Sequence, residues 1–411
     1  MSGTNRCKVL NSAAPLAPLL STVSSALATS RGPAKKTRLA VIGRGLVGAA
    51  AARHLSRMGY DVVLVGPSEP QDFSQHSGLF ASHYDEGRIV RSFDIEPFWR
   101  QLNKESIARF GEIAAQSGID FYREVGALHY GDPATTDVDS VAKVCTESAI
   151  PFETYRDAEL AKRFPYLQVL AGMVGYFETR NAGYVSARRL VRAQTVAAQR
   201  AGAQVVDEVA LGISESGSGI SIRTASGRVE ADRVLVAAGG HTEALLGRSL
   251  GFTVYARTTA KFRLDEAELR RLAGMPSIRC VGAKGNKPYI LPPMQYPDGY
   301  SWLKLGNDPV NIVLETEADI KEWFRSGGSE KVADVLQERL LERLPGLKFT
   351  ERRVAPCMTS FGKTGLPTIG PISDRISVAM CCYGKSAKCS DELGRLGALA
   401  LLGDVKSELK P

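Results

Sequence analysis

The sequence predicts an α/β protein of two domains, one on a parallel sheet and one on a mixed β-sheet with helices. Three observations point there. A strand, a glycine-rich turn, a helix and a second strand follow one another between Arg38 and Val65. Far downstream, Ala231-Asp-Arg-Val-Leu-Val-Ala-Ala-Gly-Gly240 reads as another buried strand running into a small-residue turn. Finally, 411 residues exceed the length at which one hydrophobic core usually stops growing.

The first 36 residues stand apart. They carry Arg6, Lys8, Arg31, Lys35 and Lys36, many Ser and Ala, and no acid; the first carboxylate of the chain is Asp61. That is the composition of a transit peptide of an intracellular, organellar protein (mitochondrion or plastid), although the apolar run Ala14 to Leu20 faintly resembles a secretory segment. A tail without any address explains the segment equally well. It is set aside from the fold.

Arg38-Leu-Ala-Val-Ile-Gly43 is short, apolar and β-branched, as a buried strand should be. Gly43-Arg-Gly-Leu-Val-Gly48 follows at once; Ala49 to Met58 then carries helix formers up to Gly59, and Asp61 to Val65 supplies the second strand. Three such glycines alone would serve any tight turn. Between a strand and a helix they make a dinucleotide site: Gly43 for the turn, Gly45 for approach of a pyrophosphate, Gly48 for close helix packing, with free N–H groups at the helix start. The acid that should follow the second strand to bind a ribose is absent, because Gly66 stands there; Ser68 or Glu69 is expected to reach the ribose instead. This motif does not separate NAD from FAD.

The return strand at 231–240, preceded by a helix from Ser186 to Ala201 and a strand from Gln204 to Glu208, does separate them. A chain that leaves a Rossmann-like domain, builds something else and comes back suits an FAD enzyme. The expected division is a leader or tail at 1–36, an FAD-binding domain from 37–92, 182–250 and 353–405, and a substrate domain from 93–181 and 251–352.

Composition narrows the function classes. Hydrophobic residues at 44% and charged residues at 23% are ordinary for a globular chain, and no run approaches the roughly 18 apolar residues of a transmembrane helix. The net charge of +8 is spread along the chain without a finger, RNP or arginine-rich motif, so it reads as a field for anionic ligands rather than nucleic acid. Seven cysteines form no CxxC pair or regular framework and five histidines show no HExxH spacing, which implies a reducing compartment and no metal site.

Four motifs in order then carry a resemblance. They are Gly43 to Gly48; Ser82-His-Tyr-Asp-Glu-Gly-Arg-Ile-Val-Arg91; Leu303-Lys-Leu-Gly306; and Pro356-Cys-Met358 followed by Tyr383-Gly384 and Lys388. From Arg38 to about Asp404 the chain resembles the monomeric sarcosine oxidase family of FAD amine oxidases, which includes N-methyltryptophan oxidase and pipecolate oxidase.

The resemblance implies roles. Arg91 would grip the substrate carboxylate, a task suited to a planar guanidinium with two parallel N–H groups, and Lys388 would share it. Arg88 would lie nearer the flavin, with Ser82, Gly239 and Gly384 also at the cofactor. On residue spacing alone, the RIVR segment reads equally well as a strand with its charges in solvent. Lys304 would promote reaction with oxygen, since a fixed cation ~4 Å from nascent superoxide is worth on the order of 4 kcal/mol at an effective dielectric of about 20; a surface lysine on an edge strand is the plain alternative. Cys357 would be bonded to the flavin ring, where otherwise it is an inert buried thiol. Tyr289 would line the substrate cavity.

Two departures touch the substrate. The family's histidine after LKLG becomes Asp308, and its glycine-rich loop becomes Cys381-Cys-Tyr-Gly-Lys-Ser-Ala-Lys388, in which Lys385 adds a cation suited to a second substrate carboxylate. The implied reaction is oxidation of the C–N bond of an N-methyl, cyclic or other secondary amino acid to an imine by a monomeric enzyme, with O2 as acceptor and H2O2 as product. A dehydrogenase with another acceptor, or a flavin-binding scaffold without turnover, are the rivals.

Overall fold

The computed structural model describes residues 37–73, 76–281 and 288–411, so the leader reading lies outside the described residues. The first strand, Arg38–Ile42, pairs in parallel with Asp61–Val65 on one side and Arg233–Val236 on the other. All three are buried beyond their first residue, as central parallel strands covered on both faces must be.

The helix between the first two strands is Leu46–Arg57. It starts three residues before the expected Ala49, because the last half of the glycine turn already has helical backbone. Ala49 to Ala52 are wholly buried. Small side chains are needed there: a Cβ on Gly394 of the last helix, Ser386–Leu402, would come within 2.5 Å of the Ala50 Cβ.

The six-stranded sheet runs in the order Thr368–Pro371, Ile376–Met380, Arg233–Val236, Arg38–Ile42, Asp61–Val65, Gln204–Val206. Two expected strands are shorter than their sequence windows. Gln204 to Glu208 stops at Val206, and the return strand breaks at Asp232, whose carboxylate turns to accept the Arg38 N–H at 2.7 Å. The helix expected from Ser186 forms as Ala187–Arg200, its start capped by the Ser186 hydroxyl accepting from the Arg189 N–H.

A second, nine-stranded sheet is mixed. Its spine is Thr253–Arg263, paired along its whole length with Glu351–Phe361 and, further along, with Ser301–Gly306. Leu128, Phe262, Leu305, Leu336 and Leu340 fill the core between this sheet and helix Glu330–Arg343. The ladder with Glu351–Phe361 carries Cys357. A small sheet of Arg88–Val90, Gly183–Val185 and Tyr122–Arg123 carries the RIVR arginines. Among the described residues no helix is long and apolar enough to cross a membrane, and no group of His, Cys, Asp or Glu is placed to hold a metal.

Candidate active site

A cleft of about 510 Å³ opens where the parallel strands end, beyond Ile42, Val65 and Val236, the usual ligand position on such a sheet. Gly43, Gly45, Ser82, Arg88, Gly239, Cys357 and Gly384 line it. Gly43 has φ +108°, and a Cβ there would lie 2.3 Å from the Ala237 carbonyl oxygen. Gly48 stands outside the cleft lining and holds the helix against the turn, since its Cβ would meet the Gly43 oxygen at 1.8 Å. The helix begins on Gly45 with no capping side chain and no acid in its first turn, so its first N–H groups lack side-chain acceptors.

Gly66 admits no side chain either: a Cβ would come within 2.5 Å of the Arg44 nitrogen. The expected substitutes for its acid are otherwise engaged. Glu69 takes the Arg188 guanidinium through bonds of 2.6 and 2.7 Å, and the Ser68 N–H and hydroxyl both donate to Asp207.

Behind the cleft wall lies a buried charge cluster around Asp85. Arg88 Nη1 and Lys304 Nζ both donate to Asp85 Oδ2, and the Tyr296 hydroxyl donates to Oδ1 at 2.8 Å. Lys304 is 0% exposed and sits in a central strand, which excludes the surface-lysine alternative. Its second bond goes to the Gly87 carbonyl at 2.8 Å. Arg88 Nη2 donates to the Ser82 carbonyl at 2.8 Å and lies 3.6 Å from Cys357 Sγ, so the cation beside this sulfur is Arg88 rather than Lys388.

Burial works to raise the Asp85 pKa, but Lys304, Arg88 and Lys261 hold it well below the ordinary range. Burial brings Lys304 down to about 8, helped by Arg88 and opposed by Asp85. Lys261 is the cross-strand partner of Lys304, its ammonium 4.7 Å from the Tyr296 ring. His83, in the cleft wall, is pushed down to about 3 by burial and the charges of Arg188, Arg88 and Arg44, and is therefore neutral. Tyr289 faces Lys304 at 6.0 Å and covers Gly306, where no Cβ fits.

Arg91 and Lys388 are both buried, which excludes a solvent-facing RIVR strand. They lie outside the cleft lining, Lys388 directly following its member Ala387. Arg91 donates to the Phe93 carbonyl, while its Nε has no hydrogen-bond partner among the described residues. Burial and the charge of Arg91 push Lys388 down to about 8, and its bond is to the Lys385 carbonyl at 3.3 Å. Asp94 takes the Lys385 ammonium at 3.0 Å and lies 3.9 Å from Arg91 Nη2, so a single protein carboxylate sits among Arg91, Lys385 and Lys388. Asp308 ties its turn to strand Thr253–Arg263, accepting the N–H groups of Val310 and Thr258.

Sequence reasoning left Asp85, Lys261, Glu178 and His129 without roles. Glu178 pins the backbone after Arg91, accepting from the N–H groups of Ser92 at 2.9 Å and Phe93 at 3.2 Å, and His129 Nε2 meets its other oxygen at 2.8 Å. Asp85 was visible inside the second motif. The others come from distant strands and carried no local signal.

Over residues 38–398 the chain matches the model of DAO, FAD dependent oxidoreductase, and it belongs to that family. It is 26% identical over 210 residues to N-methyl-L-tryptophan oxidase of Yersinia pestis (strain Pestoides F), which is 51% of this chain and 55% of that protein. The chain thus spans about half the length of the curated relatives it matches. Its fold is that of NikD, described as an unusual amino acid oxidase essential for nikkomycin biosynthesis (TM-score 0.71, 19% identity, 91% and 98% of the two chains). Iminodiacetate oxidase from Chelativorans sp. BNC1 shares it too (TM-score 0.69, 20% identity, 91% and 99%).

The residues fit the family's cofactor. The uncapped helix start suits a pyrophosphate, the Thr359 hydroxyl on the cleft wall is buried without a partner among the described residues, and Arg88 and Cys357 close the wall together.

Proposed function

We propose that this protein oxidises the C–N bond of an N-methyl, cyclic or other secondary amino acid to an imine, with O2 as acceptor and H2O2 as product. The observation that carries the reading is the meeting of three segments: Asp85 holds both its neighbour Arg88, which lies beside Cys357 on the cleft side, and Lys304, wholly buried behind it. Segments 37–92, 182–250 and 353–405 would form the cofactor half, and 93–181 and 251–352 the substrate half.

FAD, when bound, would supply the acceptor for the two electrons of the amine, which with two protons would convert O2 to H2O2. The chain's residues supply the rest. Gly43, Gly45, Ser82, Gly239 and Gly384 would hold the cofactor, with Cys357 as its covalent anchor, and Gly48 would keep the loop in shape. Arg91 and Lys388 would hold the substrate carboxylate and so fix the C–N bond, beside Tyr289. Lys304 would offer its cation where charge develops on oxygen.

Purified protein should be yellow and should bleach anaerobically with at least one member of a panel of N-methyl and cyclic amino acids, then release peroxide on admission of air. Bleaching without peroxide would instead assign a non-oxygen acceptor, and a colourless protein that cannot be reconstituted with FAD would refute the reading. After acid precipitation the colour should stay with the polypeptide and be lost in Cys357→Ser.

A further inference from the structure

We propose that Asp207 supplies the carboxylate that binds the adenosine ribose of FAD, replacing from a neighbouring strand the acid that strand Asp61–Val65 lacks. The proposal rests on the FAD reading above. Strand Gln204–Val206 runs parallel to Asp61–Val65 with Val65 level with Val206, and the Gly66 N–H donates to the Val206 carbonyl at 3.0 Å. Asp207 is therefore the residue of the adjoining strand at the level of Gly66, one strand further from the glycine turn.

The gap is bridged by Arg44 of the glycine turn, which lines the cleft and reaches Asp207 Oδ2 at 3.3 Å. Ser68 fixes the carboxylate from the other side, its N–H donating at 2.6 Å and its hydroxyl at 2.8 Å. A carboxylate offers about four acceptor sites, so these partners orient it without exhausting it, and 53% of the side chain is still open. Burial is the largest single influence and opposes ionisation, but the Ser68 bonds and Arg44 together lower the pKa, so an anion with about one acceptor site left is available to a ribose hydroxyl.

The competing acids are engaged. Glu69 is held by Arg188, and Glu208 accepts the Ser226 N–H at 3.0 Å. Gly66 itself cannot carry one.

The test uses the full chain with Cys357→Ser, stripped of flavin. Dissociation constants are measured for FAD and for FAD lacking the 2′-hydroxyl of its adenosine ribose, with and without Asp207→Asn. The otherwise native ribose site should prefer FAD over the deoxy analogue by roughly tenfold or more, the size of a hydrogen bond to a charged group. Asp207→Asn should weaken FAD and erase most of that preference. Equal weakening of both ligands with the preference intact would make Asp207 a prop for the loop and overturn the proposal, as would unchanged FAD binding. Failure of the Asp207-containing chain to bind FAD at all would overturn the cofactor reading beneath it.

Discussion

Asp391, on the last helix, and Asp85, in the loop before strand Arg88–Val90, are both buried aspartates that collect cations from distant segments. Asp391 accepts from Arg53 at 2.8 Å, His54 at 3.1 Å and Gln194 at 2.9 Å, and also from Arg109. None of these residues lines the cleft. Around Asp85 the donors have a second face: Arg88 reaches the cleft and Cys357, and Lys304 looks toward Tyr289. Around Asp391 every donor stops short of the cavity, whereas around Asp85 one donor, Arg88, continues to it.

The comparison breaks most sharply at Asp391. Asp391→Ala removes the buried counter-charge of the Arg53 guanidinium, 1% exposed, and leaves it only the more exposed Glu112 at 3.6 Å. The expected destabilisation is about 3–5 kcal/mol, read as a lower thermal midpoint, with flavin lost only as the fold is lost. A variant that melts with the parent would show that the helices do not depend on this hub.

Lys304→Met should leave the melting temperature less affected and strike the oxygen half-reaction, slowing reoxidation by on the order of 10²–10³-fold while flavin reduction by substrate changes little. Stopped-flow measurement of the two half-reactions separates them. Equal slowing of both would make Lys304 a substrate or structural group.

Arg91→Lys should cost about 1.5–3 kcal/mol in kcat/KM on a carboxylate substrate, because an ammonium cannot reproduce two parallel N–H groups. Steady-state kinetics on matched amines with and without a carboxylate give the answer: only the acid should suffer.

Asp85→Asn is the smallest and the most discriminating. Asp85 raises the pKa of Lys304, which burial holds at about 8; without that anion Lys304 titrates lower. A drop of about one pKa unit would roughly halve the ammonium at pH 7, so reoxidation there should fall by about twofold and recover as pH drops and the ammonium reforms. Lys304→Met should show no such recovery.

What was legible in the sequence follows the range of its determinants. The first strand, the glycine turn and the helix after it are local, and they form within a few residues of their expected bounds. The placement of Arg88, Cys357 and Gly384 around one cleft was legible through motif order. Their partners were not. Asp85 meets Lys304 across 219 positions of sequence and Arg53 meets Asp391 across 338, and no periodicity encodes such pairings. The Asp94 partner of Lys385 was hidden for the same reason, since it lies 291 residues away.

The closeness of Gly66 to the Arg44 backbone sets a limit on repair. A designer following family consensus would restore an acid at position 66, and the new Cβ would collide at 2.5 Å with backbone that cannot rotate aside. Gly66→Asp should therefore damage the very site it is meant to improve, unless the turn bearing Arg44 is rebuilt first.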